Sequence, residues 1–189
     1  MSGLCHNLTH LHRGDIVMSL IYEGRCWKLG DDVSSDELIS AQHVYEYDPQ
    51  ILRKHLLAER LPAFAAQARP GDLVLAGRRF AHGSQHTHPF LAMKAIGVGL
   101  LVQHPSRPTF RLAIYCGIPL LEIGADIMDY IDDADQLRVN FADGALHNIT
   151  QNRHLQVAAM PAFVLDIVRA GGGMGYLQAN PTSTAHQGS

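Results

Sequence analysis

The chain has 189 residues, of which 47% are hydrophobic and 17% charged, with a formal net charge of -3; this balance is typical of a folded domain. Lys and Arg do not cluster in any segment, so the sequence gives no electrostatic reason to expect a nucleic acid partner. The longest apolar runs, such as residues 95–102, are too short to cross a bilayer, and we expect a cytoplasmic protein without a membrane partner.

Both ends of the chain are polar. Residues 1–17 are rich in His and lack the apolar stretch of a signal peptide, and the first strand-like run opens at Met18. We predict a disordered extension or a misassigned start here, with Met18 as the true first residue. Residues 179–189 are expected to be a disordered tail, which leaves residues 18–178 for a single domain.

The first half of this domain mixes strand and helix signals. Residues 16–27 are rich in Ile, Val, Tyr and Leu and predict one or two strands, with Trp27 in the core. Asp48-Pro49 is typical of a helix start, and the apolar spacing after it predicts a helix as far as Leu57. Residues 60–68 are expected to continue this helix.

Strands and helices then alternate, which indicates an α/β core with parallel pairing. A turn at residues 69–72 precedes the first of these elements. The predicted elements are a strand at 73–76, a helix at 89–96, a strand at 98–102, a helix at 107–116 and a strand at 118–123.

The last part of the domain predicts a different arrangement. Residues 136–141 and 155–159 are expected to be antiparallel strands around a turn at 142–144. A closing helix at 161–170 is expected to stop at the glycines of residues 171–175. The acidic residues between 126 and 135 are expected to form an exposed turn region, since they lack the spacing of an oxygen-ligand loop.

The loop between residues 77 and 89 is the most informative segment. It joins a buried strand to a helix, and ligands collect at the carboxyl ends of parallel strands. Gly83 permits close backbone approach, and Ser84 follows it just ahead of the helix, whose free N–H groups favour negative charge. A serine oxygen placed there would be stabilised as an alkoxide. The alternative is a plain connection in which Ser84 only caps the helix.

The histidines of this loop raise the question of a metal site. His82, His86 and His88 are possible ligands, and His86-Thr87-His88 matches the His-x-His element of cupin barrels. The Glu that cupins place four or five positions later is absent, and the flanking helices do not suit a β-barrel. We therefore expect no metal at these histidines.

The cysteines also indicate that the chain holds no metal site. Cys5, Cys26 and Cys116 stand far apart and form no C-x-x-C pair. This spacing fits neither a disulfide framework nor a zinc or iron–sulfur site within the chain. We expect reduced thiols.

Residues 20–177 resemble the small subunit of isopropylmalate isomerase and homoaconitase, which is equivalent to the swivelling domain of aconitase. Residues 24–36 are similar to the opening strand and Asp-Thr-Asp segment of that family, and residues 69–77 to the turn and strand before its Gly-Ser-Ser-Arg-Glu loop. The matches after the loop are Arg107, Phe110, Arg111, Ala113, Gly117 and residues 119–121. The resemblance implies an α/β fold of the swivelling β/β/α type.

The resemblance also implies a division of labour between two subunits. A large subunit would carry a [4Fe–4S] cluster that acts on the substrate as a Lewis acid, and this chain would bind no cofactor. Ser84 takes the place of the base that removes a proton next to a carboxylate, and Asp36 matches the aspartate of the Asp-Thr-Asp segment. The expected activity is dehydration, with or without rehydration, of a hydroxy acid such as 3-isopropylmalate.

The expected substrate-binding residues depart from the family pattern. The family continues after the serine with Ser, Arg, Glu and His, whereas this chain has Gln85, His86, Thr87 and His88. An arginine holds a carboxylate through two parallel hydrogen bonds, whereas a neutral imidazole offers one donor. Tyr45 stands at a second specificity position, where it is neither a cation nor a small apolar residue. We therefore expect a substrate other than the two standard ones.

Arginines elsewhere are candidates for holding the carboxylate. Arg79 and Arg107 are the candidate replacements for the arginine of the loop, and Arg107 and Arg111 are one helical turn apart. A solvated helix face is the alternative for this last pair. Two other functions stay open on the sequence alone: a non-catalytic or regulatory paralogue, and a free-standing carboxylate-binding module without a partner.

Overall fold

The computed structural model describes residues 20–181, so Met18, the predicted N-terminal extension and most of the predicted tail lie outside the described residues. The strands of the described chain are β1 (Ile21–Gly30), β2 (Leu73–Ala76), β3 (Gly99–Gln103), β4 (Leu120–Ile123), β5 (Gln136–Asn140), β6 (Ala145–Asn148) and β7 (Arg153–Gln156). Its α-helices are α1 (Ser35–Leu38), α2 (Pro49–Leu52), α3 (Ala63–Gln67), α4 (His88–Ile96), α5 (Arg107–Cys116), α6 (Ala125–Asp129), α7 (Ala162–Arg169) and α8 (Gly173–Ala179).

The seven strands form one sheet in the order β4-β3-β2-β1-β5-β6-β7. The pairs among β1, β2, β3 and β4 are parallel, whereas β5, β6 and β7 add antiparallel strands. The long strand β1 serves both halves: it pairs with β5 up to Arg25 and with β2 from Cys26 onward. The predicted α/β class with parallel pairing is confirmed.

The sheet separates two apolar cores. On one face Trp27, Phe64 and Phe90 pack among α4 and the segment that precedes β2. On the other face β2 and β3 pack against the antiparallel strands and α7, in a cluster that includes the fully buried Phe141. All four residues of β2 are fully buried, because a strand covered on both faces needs a continuous apolar run. Trp27 is buried as predicted.

One buried carboxylate joins β1 to β2 at the end of the sheet opposite the Ser84 loop. Asp72 accepts hydrogen bonds from the backbone N–H groups of Arg25 and Arg69, both at 3.0 Å, and from the indole Nε1 of Trp27 at 2.9 Å. Only 5% of Asp72 is exposed. Since three donors satisfy its oxygens, burial of this charge is compensated by charge-assisted hydrogen bonds.

The predicted position of the strand after the turn at residues 142–144 was wrong. The partner of β5 across this turn is β6, and the residues predicted at 155–159 overlap only with the end of β7. The signal of β6 is weak, since Leu146 is its single large apolar residue. Asn148 at its end is buried and donates to the Asp135 carboxylate at 2.7 Å.

The acidic segment before β5 is exposed as expected at Asp126, Asp129, Asp132 and Asp133, but not at Asp135. Asp135 is 5% exposed, and its carboxylate accepts from the backbone N–H of Asp132 and the side chain of Gln151 as well as from Asn148. Asp126 and Asp129 lie on the short helix α6. The Asp135 carboxylate is therefore a structural acceptor that organises the turn.

One predicted helix boundary was wrong, and one helix was not predicted. The helix that begins at Pro49 is capped by the Asp48 side chain as predicted, but it ends at Leu52, and Leu57 has a left-handed backbone with φ of 58°. Beyond the closing helix, the glycines interrupt the chain only briefly, because α8 begins at Gly173. None of the helices in the described part of the chain combines the length and apolarity of a membrane span.

Asp72→Ala should lower the free energy of unfolding by about 3 kcal/mol, because it leaves three N–H donors, one of them on a buried indole, without an acceptor. Urea denaturation followed by Trp27 fluorescence measures this change. Asp129→Ala is the matched control, since Asp129 is exposed and its carboxylate has no hydrogen bond or ion pair among the described residues; it should change stability by less than about 0.5 kcal/mol. Equal effects of the two variants would contradict the role of Asp72.

Candidate active site

Two segments emerge side by side at one edge of the parallel sheet. Strands β1 and β2 are parallel and end together, with Gly30 opposite Ala76. The chain after β1 forms α1, which carries Asp36, and the chain after β2 forms the loop of residues 77–87, which carries Ser84. Parallel pairing therefore brings together two residues that are 48 positions apart in the sequence.

The start of the loop is attached to the end of β1. The Asp31 carboxylate accepts from the backbone N–H of Arg78 at 2.9 Å and from its guanidinium at 2.7 and 3.1 Å. The hydrogen bonds from Arg78, those of its side chain first, lower the pKa of Asp31. A side chain at Gly77 would collide with this carboxylate, since its Cβ would lie 1.9 Å from Asp31 Oδ1. The glycine is therefore required by the close approach.

The middle of the loop folds back through left-handed backbone conformations. Arg79, Ala81 and Gly83 have φ values of 58°, 54° and 94°, which are costly for the two residues with side chains. Phe80 offsets this cost because its ring is 99% buried in the core below the loop. The hydroxyl of Thr109 on α5 donates to the Phe80 carbonyl at 3.2 Å. The loop is thus fixed from beneath before it reaches Ser84.

A backbone hydrogen bond links the loop to α1. The N–H of Ser35 donates to the carbonyl of His82 at 2.8 Å, and Ser34 forms a parallel bridge with the same histidine. Asp36 follows directly after Ser35, and Ser84 comes two residues after His82. Asp36 and Ser84 therefore lie in adjoining segments, and both are exposed.

The short helix α1 depends on its first turn for its shape. Ser34 and Glu37 form a capping box: the Ser34 hydroxyl accepts from the Glu37 N–H at 3.1 Å, and the Ser34 N–H donates to the Glu37 carboxylate at 2.8 Å. Arg60 also donates to this carboxylate, at 2.6 Å. The Ser34 N–H is the main cause of the lowered pKa of Glu37. This cap fixes the direction in which α1 presents Asp36.

Ser84 lies at the open tip of the loop and does not cap α4. The N-cap is Thr87, and its side chain makes no capping hydrogen bond. The first turn of α4 includes Pro89, which has no N–H, so the free donors at this end are few and uncapped. Ser84 is exposed, four residues before the first helical residue, His88. The predicted helix start near residue 89 is confirmed, but Ser84 as its cap is not what the structure shows.

The two histidines after Ser84 contact each other. Their Nδ1 atoms are 3.1 Å apart, so one imidazole donates to the other. His88 is 3% exposed, and the ring of Tyr47 packs against it at a centroid distance of 4.9 Å. His86 is half-buried; burial first, and then His88, lower its pKa, whereas Asp36 acts in the opposite direction.

The other predicted substrate-binding residues lie in different surroundings. The Gln85 side-chain amide donates back to the carbonyls of Ala81 and Gly83, so it braces the loop. Tyr45 is 92% exposed and lies on the surface of the segment before α2. Thr87 is half-buried at the start of α4.

The three arginines predicted to hold a carboxylate lie in different places. Arg107 is exposed at the first turn of α5, the same helix whose Thr109 holds the Phe80 carbonyl. Arg111 lines an apolar cavity of about 290 Å³ between α5 and α7, to which no residue of the Ser84 loop contributes. Arg79, a candidate for holding a carboxylate, is already paired with Asp32 at 2.8 Å.

Sequence reasoning missed two residues of the site. Ser35 is 3% exposed, and its hydroxyl has no partner among the described residues. A Cβ at Gly83 would lie 3.6 Å from that hydroxyl, so Ser35 faces the loop just before Ser84. Tyr47 reaches His88, whereas Tyr45, two residues earlier, was chosen from the sequence. Tyr45 and Tyr47 are two residues apart, and the sequence does not indicate which of the two rings contacts His88.

The largest described cavity and the two described thiols lie away from the candidate site. The largest cavity described, about 560 Å³, lies across the antiparallel strands and is lined by residues such as Arg138 and His147, not by the predicted site residues. Within residues 20–181, no three His, Cys, Asp or Glu side chains are grouped so as to hold a metal ion. Cys26 and Cys116 belong to different cores, and burial raises the pKa of both thiols, that of Cys116 to about 11. These thiols do not fit a cluster, which needs thiolates.

Comparison with known proteins gives a single answer. The sequence is 34% identical to the 3-isopropylmalate dehydratase small subunit of Aquifex aeolicus over 161 residues, which are 84% of this chain and 95% of the relative. It is 35% identical to small subunit 1 of the same enzyme from Archaeoglobus fulgidus, over 79% and 92% of the two chains. It is 32% identical to the isopropylmalate/citramalate isomerase small subunit of Methanocaldococcus jannaschii, over 85% and 96%.

The fold gives the same answer as the sequence. The crystal structure of a 3-isopropylmalate dehydratase from Methanocaldococcus jannaschii superposes with a TM-score of 0.78 at 26% identity, covering 84% of this chain and 94% of that one. No protein-family model matches the sequence.

Arg78→Ala should destabilise the protein at neutral pH, and the effect should vanish in acid. The pKa of Asp31 is lowered in the folded state, so the pair stabilises the fold above the unfolded Asp pKa of about 3.9 and loses its effect as pH falls through the lowered value. Thermal unfolding of both proteins from pH 7 to pH 2 measures the gap in Tm. Arg111→Ala, which removes an arginine with no acidic partner among the described residues, should show no such pH dependence.

Proposed function

Because the chain belongs to the family of 3-isopropylmalate dehydratase small subunits, we propose that it supplies the catalytic base Ser84 to a two-subunit hydro-lyase. The resemblance predicted from the sequence is confirmed, as are the fold class and the assignment to a hydro-lyase small subunit. The proposal concerns the residues, the substrate and the partner. The substrate is a hydroxy acid, 3-isopropylmalate or a relative of it.

The observation that carries the proposal is the hydrogen bond from the Ser35 N–H to the His82 carbonyl. It joins the segments of Asp36 and Ser84, so that a hydroxyl and a carboxylate stand at one exposed edge of the sheet. General acid–base catalysis needs such groups within reach of one substrate. In the proposal Ser84 removes the proton next to a carboxylate, and Asp36 supports the proton transfers.

Ser84 needs help to act as a base, because a serine hydroxyl does not ionise at neutral pH without an activating environment. The uncapped first turn of α4 and the imidazole of His86, two residues away, are the donors nearest to it in the sequence. Donors held in place by a rigid loop stabilise a developing oxyanion without reorganisation. The buried Phe80 and the Arg78–Asp31 pair supply that rigidity.

The site is open on one side, which supports a partner. Ser84 and Asp36 are exposed, and next to them the segment before α2 exposes 39% of Val44, 92% of Tyr45 and 64% of Tyr47. We propose that the large subunit covers this surface and encloses the substrate. In this proposal the large subunit also carries the [4Fe–4S] cluster, which supplies a Lewis acid for the substrate hydroxyl.

The two described thiols support a proposal on where the cluster is bound and in which cellular compartment the protein lies. Cys26 and Cys116 are buried, unpaired and protonated at neutral pH, so neither serves as a cluster ligand in the proposal. Free thiols in the core support a reducing compartment, and we place the protein in the cytoplasm.

Ser84→Ala in the complex with the co-expressed large subunit should lower kcat for hydroxy acid dehydration by at least about 100-fold, because it removes the base. Ultraviolet absorbance of the unsaturated acid measures turnover, and size-exclusion chromatography measures assembly. Assembly should be unchanged, since Ser84 has no hydrogen bond in the described chain. Asp129→Ala serves as the exposed control and should leave kcat at the wild-type value.

The outcomes separate the functions that the sequence leaves open. Near wild-type turnover by Ser84→Ala removes this residue from the mechanism. A complex that assembles, carries the brown cluster and turns over no hydroxy acid indicates a non-catalytic paralogue. A stable monomer that binds a carboxylate and no large subunit indicates a free-standing binding module.

A further inference from the structure

His86 and His88 share one proton between two nitrogens. Their Nδ1 atoms are 3.1 Å apart, and a hydrogen bond at that distance needs one nitrogen to donate and the other to accept. Two protonated Nδ1 atoms would face each other proton to proton. The pair therefore has a direction, and the direction fixes the tautomer of both rings.

The buried end of His88 decides this direction. Its Nε2 is buried and has no hydrogen-bond partner among the described residues. A proton on that nitrogen would be a buried N–H without an acceptor, which is rarer and costlier than a bare acceptor nitrogen. His88 therefore carries its proton on Nδ1 and donates it to His86. The Tyr47 ring packed on His88 holds the donor in place.

His86 is then left with its proton on Nε2. This nitrogen makes no hydrogen bond with a described residue and is not among the buried unpartnered atoms, so it reaches the solvent on the same loop as Ser84. His86 thus offers one neutral N–H donor, two residues after the proposed base. The orientation is fixed by His88 and does not depend on the substrate.

No hydrogen bond or ion pair among the described residues brings a cation to His86. Burial first, and then His88, lower the pKa of His86, whereas Asp36 raises it. The arginines at the base of the loop are neutralised, Arg78 by Asp31 and Arg79 by Asp32. Lys94, on the same helix as His88, donates to the Gly171 carbonyl instead. A carboxylate placed beside Ser84 would lose water and meet Asp36 without compensation from Arg78, Arg79 or Lys94.

We propose that His86, oriented by His88, is a specificity residue that selects a substrate whose group beside Ser84 is an uncharged oxygen, such as an amide carbonyl, in place of a second carboxylate. The inference rests on the proposed function of Ser84. The substrate is then a hydroxy acid with one carboxylate, which is bound away from this loop. The proton that Ser84 removes would then lie next to this uncharged carbonyl and not next to a carboxylate. A neutral carbonyl acidifies the neighbouring C–H more than a carboxylate does, which eases proton removal by Ser84.

The first test measures the tautomers directly on the full chain, with uniformly ¹⁵N-labelled protein and long-range ¹H–¹⁵N correlation spectra at pH 7.5. The expected result is a proton on Nε2 of His86 and on Nδ1 of His88. His88→Phe keeps the packing against Tyr47 but removes the donor, and it should convert His86 to a mixture of tautomers. A His86 ring protonated on both nitrogens at pH 7.5, or the opposite tautomers in the wild type, overturns the inference.

The second test uses the assembled two-subunit enzyme and two probes, 3-isopropylmalate and its monoamide at the carboxyl group remote from the hydroxyl. Wild type should show at least about a tenfold higher kcat/KM for the monoamide. His86→Arg adds a bidentate cation and should reverse this preference. His86→Gln is the matched control, since it keeps a neutral N–H donor and should keep the preference for the monoamide.

The failures of the two proposals look different. A wild type that prefers the diacid, with a preference unchanged in His86→Arg, overturns the specificity role of His86 and leaves Ser84 as the base. Turnover of neither probe by a cluster-loaded complex overturns both proposals together. Preference for the monoamide that persists in His86→Arg also removes His86 as its cause.

Discussion

The geometry of the site depends on one backbone hydrogen bond, from the Ser35 N–H to the His82 carbonyl. It extends the parallel pairing of β1 and β2 beyond the last ladder pair, Gly30 and Ala76, into segments that are no longer strands. Without it, the two segments would be joined only nearer the strand ends, by the contacts of Asp31 and Asp32 with Arg78 and Arg79. Short helices have little stability of their own, so α1 takes its place from the sheet and from its capping box.

The parts of the fold with a strong local signal could be predicted from the sequence. Strand β2 is a run of apolar residues between two turns, and α5 has Ser106 as its cap and Gly117 as its stop, so each had a local signal with a physical cause. The elements that were missed differ in this respect. The strand β6 has a weak local signal, one large apolar residue, whereas α1 has the capping-box pattern of Ser34 and Glu37 in the sequence, which went unrecognised.

The candidate site was predictable in its location but not in its contacts. The position of Ser84 after a buried strand followed from topology, whereas the loop shape depends on left-handed Arg79 and Ala81, which sequence patterns do not indicate. Likewise, Tyr45 and Tyr47 are equivalent in the sequence, and only packing against His88 distinguishes them. The hydrogen bond between His86 and His88 depends on the turn at the start of α4, since residues two apart do not face each other on a helix.

Asp72 has a consequence for how the sheet is assembled. Its donors at Arg25 and Trp27 are 47 and 45 residues away in the chain, so the carboxylate has these two partners only after β1 has come to lie beside β2 in the native alignment. A strand shifted by one residue, or paired in the wrong order, would leave a desolvated charge in the interior. The aspartate therefore acts as a check on strand order, penalising misfolded arrangements that an all-apolar junction would tolerate.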